Sequence, residues 1–488
     1  MKNTLFLFLF LCLLSWSSSG QDCDCQSSFK WVKQTFEDND AGFTYALQEK
    51  GEKAYAAHNA STSARVATIS TSEACTQALL DWLRFFRSGH VGIQQLNNNR
   101  TTTNAPTETE EDIKKKFVDW ERRPLQEAEF KRYLDGLEEP GYEGIWVSEP
   151  YRIAIRKEGN NYVGSMLNQA NAYWAPDQVK MKISAKGNKI VTTYYMRDHS
   201  PEVFSEAELI GNNYLQAGFI GMQRVYPVIK ETPAAERFIR SMETDKPFFE
   251  QLSPTTALLR IPTFSGSEKQ VIDSVIQHHR EQILATENLI IDIRNNGGGS
   301  DRCYNALLPI MYTNPIRSVG VEYYSTPLNN QRMLDFINKP EYNFDESGKQ
   351  WAQESYDVLS TRIGEFVNLK DEIVSITTYD TIYPFPKNVG ILINGNNGST
   401  SEQFLLAAKQ SKKVKLFGTT TFGVLDISNM YYVDAPCGDF QLGYSLTRSM
   451  RIPDMTIDDK GIKPDYYLDK SIPSHSWIDF TQEVLSSQ

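Results

Sequence analysis

Two short apolar runs, each followed by a glycine-rich turn, constrain the fold of this chain more than any other feature. Residues 289–299 read LIIDIRNNGGG, and residues 389–401 read VGILINGNNGSTS. An apolar run of this length bounded by turn residues is typical of a buried strand. Successive glycines let a backbone approach a neighbour closely and present bare N–H groups. The first turn is neither a phosphate loop nor a dinucleotide fingerprint, because the lysine and the glycine spacing of those motifs are absent.

The second turn places a serine where a strand changes into a helix. Ser399 follows the predicted strand at 389–393 and precedes a helical pattern at 401–409. A serine on such a bend is exposed, and the N–H groups and dipole of the helix stabilise an oxyanion beside it. A serine nucleophile requires this arrangement. The pattern also fits a plainer interpretation, in which Ser399 or Thr400 caps the helix and Glu402 is its capping-box partner.

Strands alternate with helices over residues 248–470, and this alternation predicts an α/β core. Apolar strands are expected at 257–261, 289–293, 389–393 and 414–417, and helices at 301–311 and 401–409.

Residues 140–232 alternate apolar and polar residues in short runs that Gly and Asn turns separate. This pattern predicts a small antiparallel β domain, a barrel or a sandwich. The runs lie at 151–155, 162–166, 179–183 and 190–195. Trp146, Tyr162, Trp174 and Tyr194 are expected in its core, and a ligand-binding cup is the alternative.

The residues that precede the β region read as a helical domain, which we place at 21–137. Phe29, Val32 and Phe36 recur at helical spacing, as do Cys75, Leu79 and Leu83. Residues 93–110 form a polar loop, and 112–137 are charged and periodic, as in a surface helix. With 471–488 as a C-terminal tail, the fold class is a multidomain α+β protein: a helical domain, a small β domain and a C-terminal α/β core.

The first 20 residues predict a secretory signal peptide. Lys2 precedes an apolar run at 5–14, and small residues follow it. The run is shorter than the roughly 20 residues that a membrane span needs. An uncleaved anchor is the alternative interpretation, and no later stretch is apolar enough to span a bilayer. We therefore expect a secreted or periplasmic protein.

The charge balance argues against nucleic acid or an anionic membrane as the main partner. Lys plus Arg is 50 and Asp plus Glu is 61, which gives a formal net charge of −11. Both of those partners favour a basic surface. No cofactor is expected, and a zinc site is disfavoured because Cys23 and Cys25 have the wrong spacing and no pair of histidines accompanies them.

Export permits disulfides, and five cysteines would remain after cleavage: Cys23, Cys25, Cys75, Cys303 and Cys437. Their odd number leaves at least one thiol free or paired elsewhere. Cys23 or Cys25 is expected to pair with Cys75, and Cys303 with Cys437, although sequence alone does not fix the connectivity.

Together, the glycine turns resemble the tail-specific, or C-terminal-processing, serine peptidases, whose core is similar to the crotonase and Clp-protease fold. The resemblance spans about residues 250–470 and rests on four ordered motifs, LIIDIRNNGGG at 289–299, LINGNNGSTSEQF at 392–404, FGTTTFG at 417–423 and DDKGIKPD at 458–465. It implies that Ser399 is the nucleophile. It also implies that the N–H groups of Thr400 and of Gly298 or Gly299 form the oxyanion hole.

One departure from the bacterial peptidases concerns the general base. Those enzymes usually carry a lysine in a Phe-Gly-Lys motif about 25 residues after the serine, and here the matching residue is Val424. A valine cannot accept a proton, so a Ser–Lys dyad at that position is excluded. Lys409, Lys412 and Lys413 lie nearer in sequence but are typical of a solvated helix surface.

A second branch of the family, similar to the tricorn core peptidases, uses a histidine from an upstream helical domain instead. The segment FFRSGHVG at 85–92 resembles its motif, with Ser88 in place of the frequent Asp. The resemblance implies that His90 is the general base and that Asp458, where Glu is more usual, orients and stabilises it. The remaining histidines lack a motif.

The sequence therefore predicts a serine peptidase that cleaves unfolded polypeptides or peptide tails through an acyl-enzyme on Ser399. The β region at 140–232 stands where tail-specific enzymes usually carry a carboxylate-binding module, so recognition of a free C-terminus is not supported. The alternative is a degenerate peptidase core that binds a peptide or hydrophobic ligand without cleaving it.

Overall fold

The computed structural model of the chain describes residues 24–96, 110–186, 189–205, 207–218 and 220–487. Its α-helices are α1 (Cys25–Asn39), α2 (Phe43–Lys50), α3 (Glu52–Val66), α4 (Ser72–Arg84), α5 (Glu110–Lys116), α6 (Glu127–Leu134), α7 (Pro233–Glu243), α8 (Lys269–His278), α9 (Arg280–Ile283), α10 (Leu308–Met311), α11 (Pro327–Asn338), α12 (Glu346–Ser360), α13 (Thr400–Ala408) and α14 (Trp477–Ser486). The predicted signal peptide, Cys23 and most of the polar loop lie outside the described residues.

The strands complete the inventory of regular structure. They are β1 (Gly92–Gln95), β2 (Gly144–Ser148), β3 (Tyr151–Glu158), β4 (Asn161–Met166), β5 (Val179–Lys186), β6 (Lys189–Tyr195), β7 (Pro201–Phe204), β8 (Glu208–Ile210), β9 (Tyr214–Ala217), β10 (Ile220–Tyr226), β11 (Phe248–Gln251), β12 (Thr256–Arg260), β13 (Asn288–Asp292), β14 (Ile316–Val319), β15 (Val321–Tyr324), β16 (Phe366–Val367), β17 (Val374–Thr377), β18 (Asn388–Ile393), β19 (Val414–Gly418), β20 (Ile427–Asp434), β21 (Phe440–Ser449) and β22 (Tyr466–Tyr467).

The chain divides into two compact units, each built from segments that are distant in sequence. The first unit combines Met1–Arg100, Val319–Ser375 and Val424–Asp459, and the second combines Thr101–Ser318, Ile376–Gly423 and Lys460–Gln488. The domain boundaries expected from sequence stay predictions, because these units are defined by packing and not by continuous stretches of chain.

The first unit packs the N-terminal helices against an antiparallel sheet. Its strand order is β1-β21-β15-β16, with β20 also paired to β21. Phe29, Val32 and Phe36 of α1 lie on one buried face, as their spacing predicted, and they share a core with Leu79 and Trp82 of α4. This helical region is therefore confirmed. Residues 92–95 form a strand rather than the start of the predicted polar loop, because β21 supplies a pairing partner.

The second unit contains the predicted antiparallel β region. Nine strands pair in the order β7-β6-β5-β4-β3-β2-β10-β9-β8, and a cluster of aromatic and aliphatic side chains fills one face. Trp146, Trp174 and Tyr194 are buried there, and Tyr162 is partly buried against the same cluster. The core role predicted for these aromatics is confirmed.

The rest of the second unit is the predicted α/β core. Strands β12, β13, β18, β19 and β22 run parallel, and β11 pairs antiparallel with β12 at one edge. Asp292 of β13 lies opposite Leu392 of β18. The two strands are parallel, so the two glycine turns leave the sheet at its carboxyl end. The multidomain α+β fold class is confirmed. Within the predicted tail, α14 packs its apolar face on this sheet.

Two expectations need correction. Residues 301–311 do not form one helix: Asp301–Tyr304 is a single 3-10 turn, and α10 begins again at Leu308, with Pro309 at its start. Cys303 does not pair with Cys437, because Cys303 is a buried free thiol that contacts the carbonyl of Ser265 at 3.3 Å. The expected pairing of Cys75 with Cys23 or Cys25 is confirmed for Cys25: the Cys25–Cys75 disulfide links α1 to α4.

Lys180 of β5 is the most unusual side chain in the β region, because a fully buried lysine is rare. Its ammonium donates to the carbonyl of Tyr195 at 2.6 Å and lies 3.8 Å and 4.0 Å from the ring centres of Tyr151 and Trp174. Burial lowers the pKa of Lys180 to about 7. Between about pH 7 and the ordinary lysine pKa, the unfolded chain therefore binds one proton that the folded protein has released.

We expect the free energy of unfolding to rise between about pH 7 and pH 10 in the wild type relative to Lys180→Met. The difference between the two proteins should have a slope of up to about 1.4 kcal/mol per pH unit. Urea unfolding at several pH values measures it. Lys182→Met, on the same strand but half-exposed beside Glu121, is the control that should keep the wild-type slope. Parallel profiles for the wild type and Lys180→Met would contradict the assignment.

Candidate active site

Ser399 lies between β18 and α13 in a strained backbone conformation. Its φ of 55° and ψ of −120° place it in a region that L-residues rarely adopt. The side chain makes no capping hydrogen bond to the helix. The interpretation of Ser399 as a simple helix cap is therefore wrong, and the strained turn resembles the elbow that exposes a nucleophile.

The first glycine turn approaches this serine so closely that no side chain fits between them. A Cβ atom added to Gly298 would lie 2.9 Å from Cβ of Ser399 and 2.9 Å from the amide nitrogen of Thr400. The φ of Gly298 is also positive, at 107°. Glycine is therefore required at 298 by space and by conformation. The structure thus places Gly298 directly against Ser399 and Thr400.

Asparagine side chains join the two turns, and sequence reasoning missed them. Asn296 accepts from the hydroxyl of Ser401 at 2.9 Å and from the N–H of Gly298 at 3.0 Å, and donates to the carbonyl of Ile261. Asn397 donates to the carbonyls of Ile293 and Asn296. The sequence signal was the Asn-Asn pair beside the glycines in each turn. Asparagine is common in turns, so this pair gave no separate reason to expect hydrogen bonds between the two turns.

The same hydrogen bonds show which N–H groups remain to bind an oxyanion. The N–H of Gly298 donates to Asn296 Oδ1. The N–H groups of Gly299 and Thr400 have no acceptor among the residues that the structure describes. Of the predicted oxyanion donors, the N–H of Gly298 is therefore occupied, and those of Gly299 and Thr400 remain candidates.

A buried ionic cluster supports the end of β13. The carboxylate of Asp292 accepts from Arg294 at 2.8 Å and 3.0 Å, and Arg260 lies 3.6 Å away. Burial by itself would raise the pKa of Asp292, but the two guanidinium groups outweigh it and lower the pKa. These charges fix the path of the chain into the glycine turn.

Glu402 on α13 anchors the segment that follows β19. The glutamate is fully buried, and its Oε1 accepts from the hydroxyl of Thr421 at 2.5 Å and from the N–H of Gly423 at 2.8 Å. Thr421 Oγ1 in turn accepts from the N–H of Ile462 at 2.7 Å. The carboxylate thus ties residues 421–423 to the helix that Ser399 begins.

The first unit holds the predicted base, His90, in its own strained turn with a φ of 53°. Arg87 wraps this turn. It forms a buried bidentate pair with Asp40 at 2.5 Å and 2.7 Å, and donates to the carbonyls of Gly89 and His90. Ser88, which replaces the frequent Asp, donates to Asp459 at 2.8 Å. Sequence analysis did not identify the roles of Arg87 and Asp40.

One hydrogen bond determines the tautomer of His90. Its Nδ1 lies 2.7 Å from the carbonyl oxygen of Ile427, which can only accept. Nδ1 therefore carries the proton, and Nε2 carries the lone pair that a general base uses. Protein atoms surround the partly exposed ring closely enough to lower the pKa of His90 to about 4, and Arg87 adds to this effect. The imidazole is neutral at pH 7.

Asp458 reaches the histidine through the backbone of the neighbouring segment. Its carboxylate accepts from the N–H groups of Leu425, Asp426 and Ile427 at 2.5, 2.7 and 3.2 Å. Ile427 is the residue whose carbonyl binds His90. Burial raises the pKa of Asp458 to about 6. The structure thus connects His90 and Asp458 by way of Ile427, which sequence reasoning had not named.

Within the described residues, we also looked for metal-binding clusters, membrane-spanning helices and the contacts of the lysines near Ser399 in sequence. No group of three or more His, Cys, Asp or Glu side chains suited to a metal ion occurs in the described ranges. None of the helices there is long and apolar enough to cross a membrane. Lys413 donates to the carbonyl of Tyr383.

Comparison with known proteins agrees with the motifs. Residues 255–468 match the model of peptidase family S41. Mature CPAF has a similar fold, with a TM-score of 0.51 and 14% identity over 95% of this chain and 96% of that one. Mature CPAF complexed with lactacystin gives a TM-score of 0.52 and 13% identity over 95% and 98% of the two chains. No curated protein matches the sequence.

We expect Gly298→Ala to lower the rate at which a fluorophosphonate probe labels Ser399 by about 10²–10³-fold, the cost of losing an oxyanion-hole donor. The new methyl group would displace Ser399 or Thr400. Gly297→Ala is the matched control, because its Cβ would meet nothing within 4 Å and should leave labelling close to the wild-type rate. Equal labelling of the two variants, both shown to be folded by thermal melting, would refute this geometry.

Proposed function

We propose that this serine-type peptidase of the tail-specific S41 family cleaves peptide bonds through an acyl-enzyme on Ser399 with His90 as the general base. The observation that carries the proposal is the strained Ser399 turn beside Gly298, with the N–H groups of Gly299 and Thr400 available to an oxyanion. A preorganised pair of donors next to a nucleophile is the arrangement that acyl transfer requires.

The chemistry assigns each proton to a stated atom. Nε2 of His90 takes the proton of the Ser399 hydroxyl as its oxygen attacks the scissile carbonyl. The same nitrogen then protonates the leaving amine, and water attacks the acyl-enzyme by the reverse sequence. The Nδ1 bond to Ile427 supports this role, because it leaves the lone pair on Nε2. Val424 stands where a lysine-dependent relative would carry its base.

Asp458 acts in this proposal as a positioning residue. It holds the N–H groups of residues 425–427, and so holds the carbonyl of Ile427 against the imidazole. When His90 becomes charged, that carbonyl remains its hydrogen-bond acceptor. The shorter Asp side chain, in place of Glu, is thus compatible with a route through the backbone.

The substrate that we propose is an unfolded polypeptide or a peptide tail. An extended chain would lie beside the glycine turn that follows β13 and bind the backbone of that turn. We also propose that the protein is exported, to the periplasm or beyond the cell. The Cys25–Cys75 disulfide supports this location, because such bonds persist in oxidising compartments.

Replacing the two central residues tests the proposal directly. Ser399→Ala should abolish fluorophosphonate labelling, and His90→Ala should lower kcat/KM on an unfolded protein substrate by about 10⁴-fold or more. Added imidazole should restore part of the His90→Ala activity. His278→Ala, an exposed histidine on α8, is the control. Undiminished activity in His90→Ala would exclude it as the base, and absent labelling of the wild type would favour a binding protein on a degenerate core.

The pH profile tests the role of Asp458. Wild-type kcat/KM should fall as the pH drops through about 6, because protonation removes an acceptor site from the carboxylate that holds residues 425–427. His90, with a pKa lowered to about 4, stays neutral in this range. Asp458→Asn should have a lower kcat and no inflection near pH 6, whereas Asp459→Asn should keep the inflection. An inflection near pH 6 that survives in Asp458→Asn would disprove the assignment.

A further inference from the structure

Phe422 is an exposed aromatic side chain on the backbone run that follows β19. Its exposed fraction is 48%, whereas Thr421 and Gly423 on either side of it are buried. Both neighbours are bound to the carboxylate of Glu402, Thr421 through its hydroxyl and Gly423 through its N–H. The anchored backbone on both sides keeps the phenyl ring at the surface, where a ligand can contact its apolar face.

The backbone of Phe422 is hydrogen-bonded directly to the turn that carries Ser399. Its N–H donates to the carbonyl of Asn397 at 2.8 Å. Asn397 precedes Ser399 by two residues, so their Cα atoms lie at most about 7 Å apart. The Asn397 side chain also joins this turn to the first glycine turn, through the carbonyls of Ile293 and Asn296. Phe422 is thus bound to the same hydrogen-bonded framework as the proposed nucleophile.

A second set of contacts fixes the residues around Phe422. The N–H of Thr421 donates to the carbonyl of Ile462 at 3.1 Å, and the N–H of Ile462 donates to Thr421 Oγ1 at 2.7 Å. Gly461 packs so closely on Thr421 that an added Cβ would collide with its carbonyl oxygen. Because this backbone is already ordered, a ligand that packs on the ring loses little of its binding energy to the ordering of the protein.

These distances match the spacing of residues in a bound peptide. Successive residues of an extended chain are about 3.3 Å apart, and alternate side chains point to opposite sides. A substrate whose scissile carbonyl lies at Ser399 therefore brings a side chain to the Phe422 ring one or two residues from that bond. The first glycine turn leaves room for such a chain, because a Cβ atom at Gly297 would meet nothing within 4 Å.

We propose that Phe422 determines specificity, and that it selects unfolded peptides with a bulky apolar side chain one or two residues from the scissile bond. Such a side chain removes apolar area from water when it packs on the phenyl ring. A serine gains little there, and a glutamate loses part of its hydration. This inference rests on the proposed acyl transfer at Ser399, but it does not depend on which residue is the base.

The test uses internally quenched peptides that carry leucine, serine or glutamate at each of these positions in turn. The wild type should cleave the preferred leucine peptide about 10- to 100-fold better in kcat/KM than its serine counterpart, the range expected for burying one large side chain. Phe422→Ala should lower this ratio about 10-fold, and Phe422→Leu should keep most of it. Phe422→Lys should instead favour the glutamate peptide. Ile382→Ala, which removes another exposed apolar side chain of the second unit, is the control that should keep the wild-type ratio.

A purely structural role for Phe422 predicts a different pattern. Phe422→Ala would then slow all the peptides equally, and that result or an unchanged leucine-to-serine ratio would overturn the inference. If the wild type cleaves none of the peptides, the proposed function fails, and the binding of fluorescently labelled peptides then decides the inference by itself. A preference for the leucine peptide that Phe422→Ala removes would support it, and equal binding of the leucine and serine peptides to the wild type would refute it.

Discussion

The hydrogen bonds of Asn296 are the interaction on which the nucleophile region depends. Its side chain binds the hydroxyl of Ser401, the N–H of Gly298 and the carbonyl of Ile261, so it joins the first glycine turn, the residue that follows β12 and the helix after Ser399. It is fully buried. A buried amide with several partners is costly to disrupt, because each lost bond leaves a desolvated polar group. This network holds the residues on either side of the strained Ser399 turn.

Buried side chains also hold the histidine turn in the first unit, but there they are charged. His90 has a positive φ, as Ser399 does, and both conformations are unfavourable for residues with a side chain. In place of an amide network, the bidentate Arg87–Asp40 pair holds the turn through the carbonyls of Gly89 and His90. Breaking a buried pair leaves an uncompensated charge, so such a pair enforces one backbone path. Each proposed catalytic side chain is thus placed by a buried polar cluster on its own backbone.

Sequence predicted the parts of this arrangement that periodicity and ordered motifs encode. The parallel strands, the antiparallel β region and the strand-to-helix serine follow from apolar runs and glycine turns, and the structure has them. The ten-residue strand β21 and the helices α11 and α12 were not predicted, although the cap residues Thr326 and Asp345 and the turn residue Gly438 mark their starts. Asn296, Arg87 and the carbonyl of Ile427 were also missed. Their roles depend on partners such as Ser401 and Asp40, which only tertiary structure identifies.

One short run of chain contains both the position of the family lysine and the carbonyl that binds His90. Residues 421–423 are tied to α13 through Glu402, and residues 425–427, which follow directly, donate to Asp458 and accept from His90. Val424 lies between these two sets of anchors. In the lysine-dependent branch that the sequence resembles, this position supplies the base itself. Here the same run instead provides the carbonyl of Ile427, which fixes the tautomer of His90, the base that we propose.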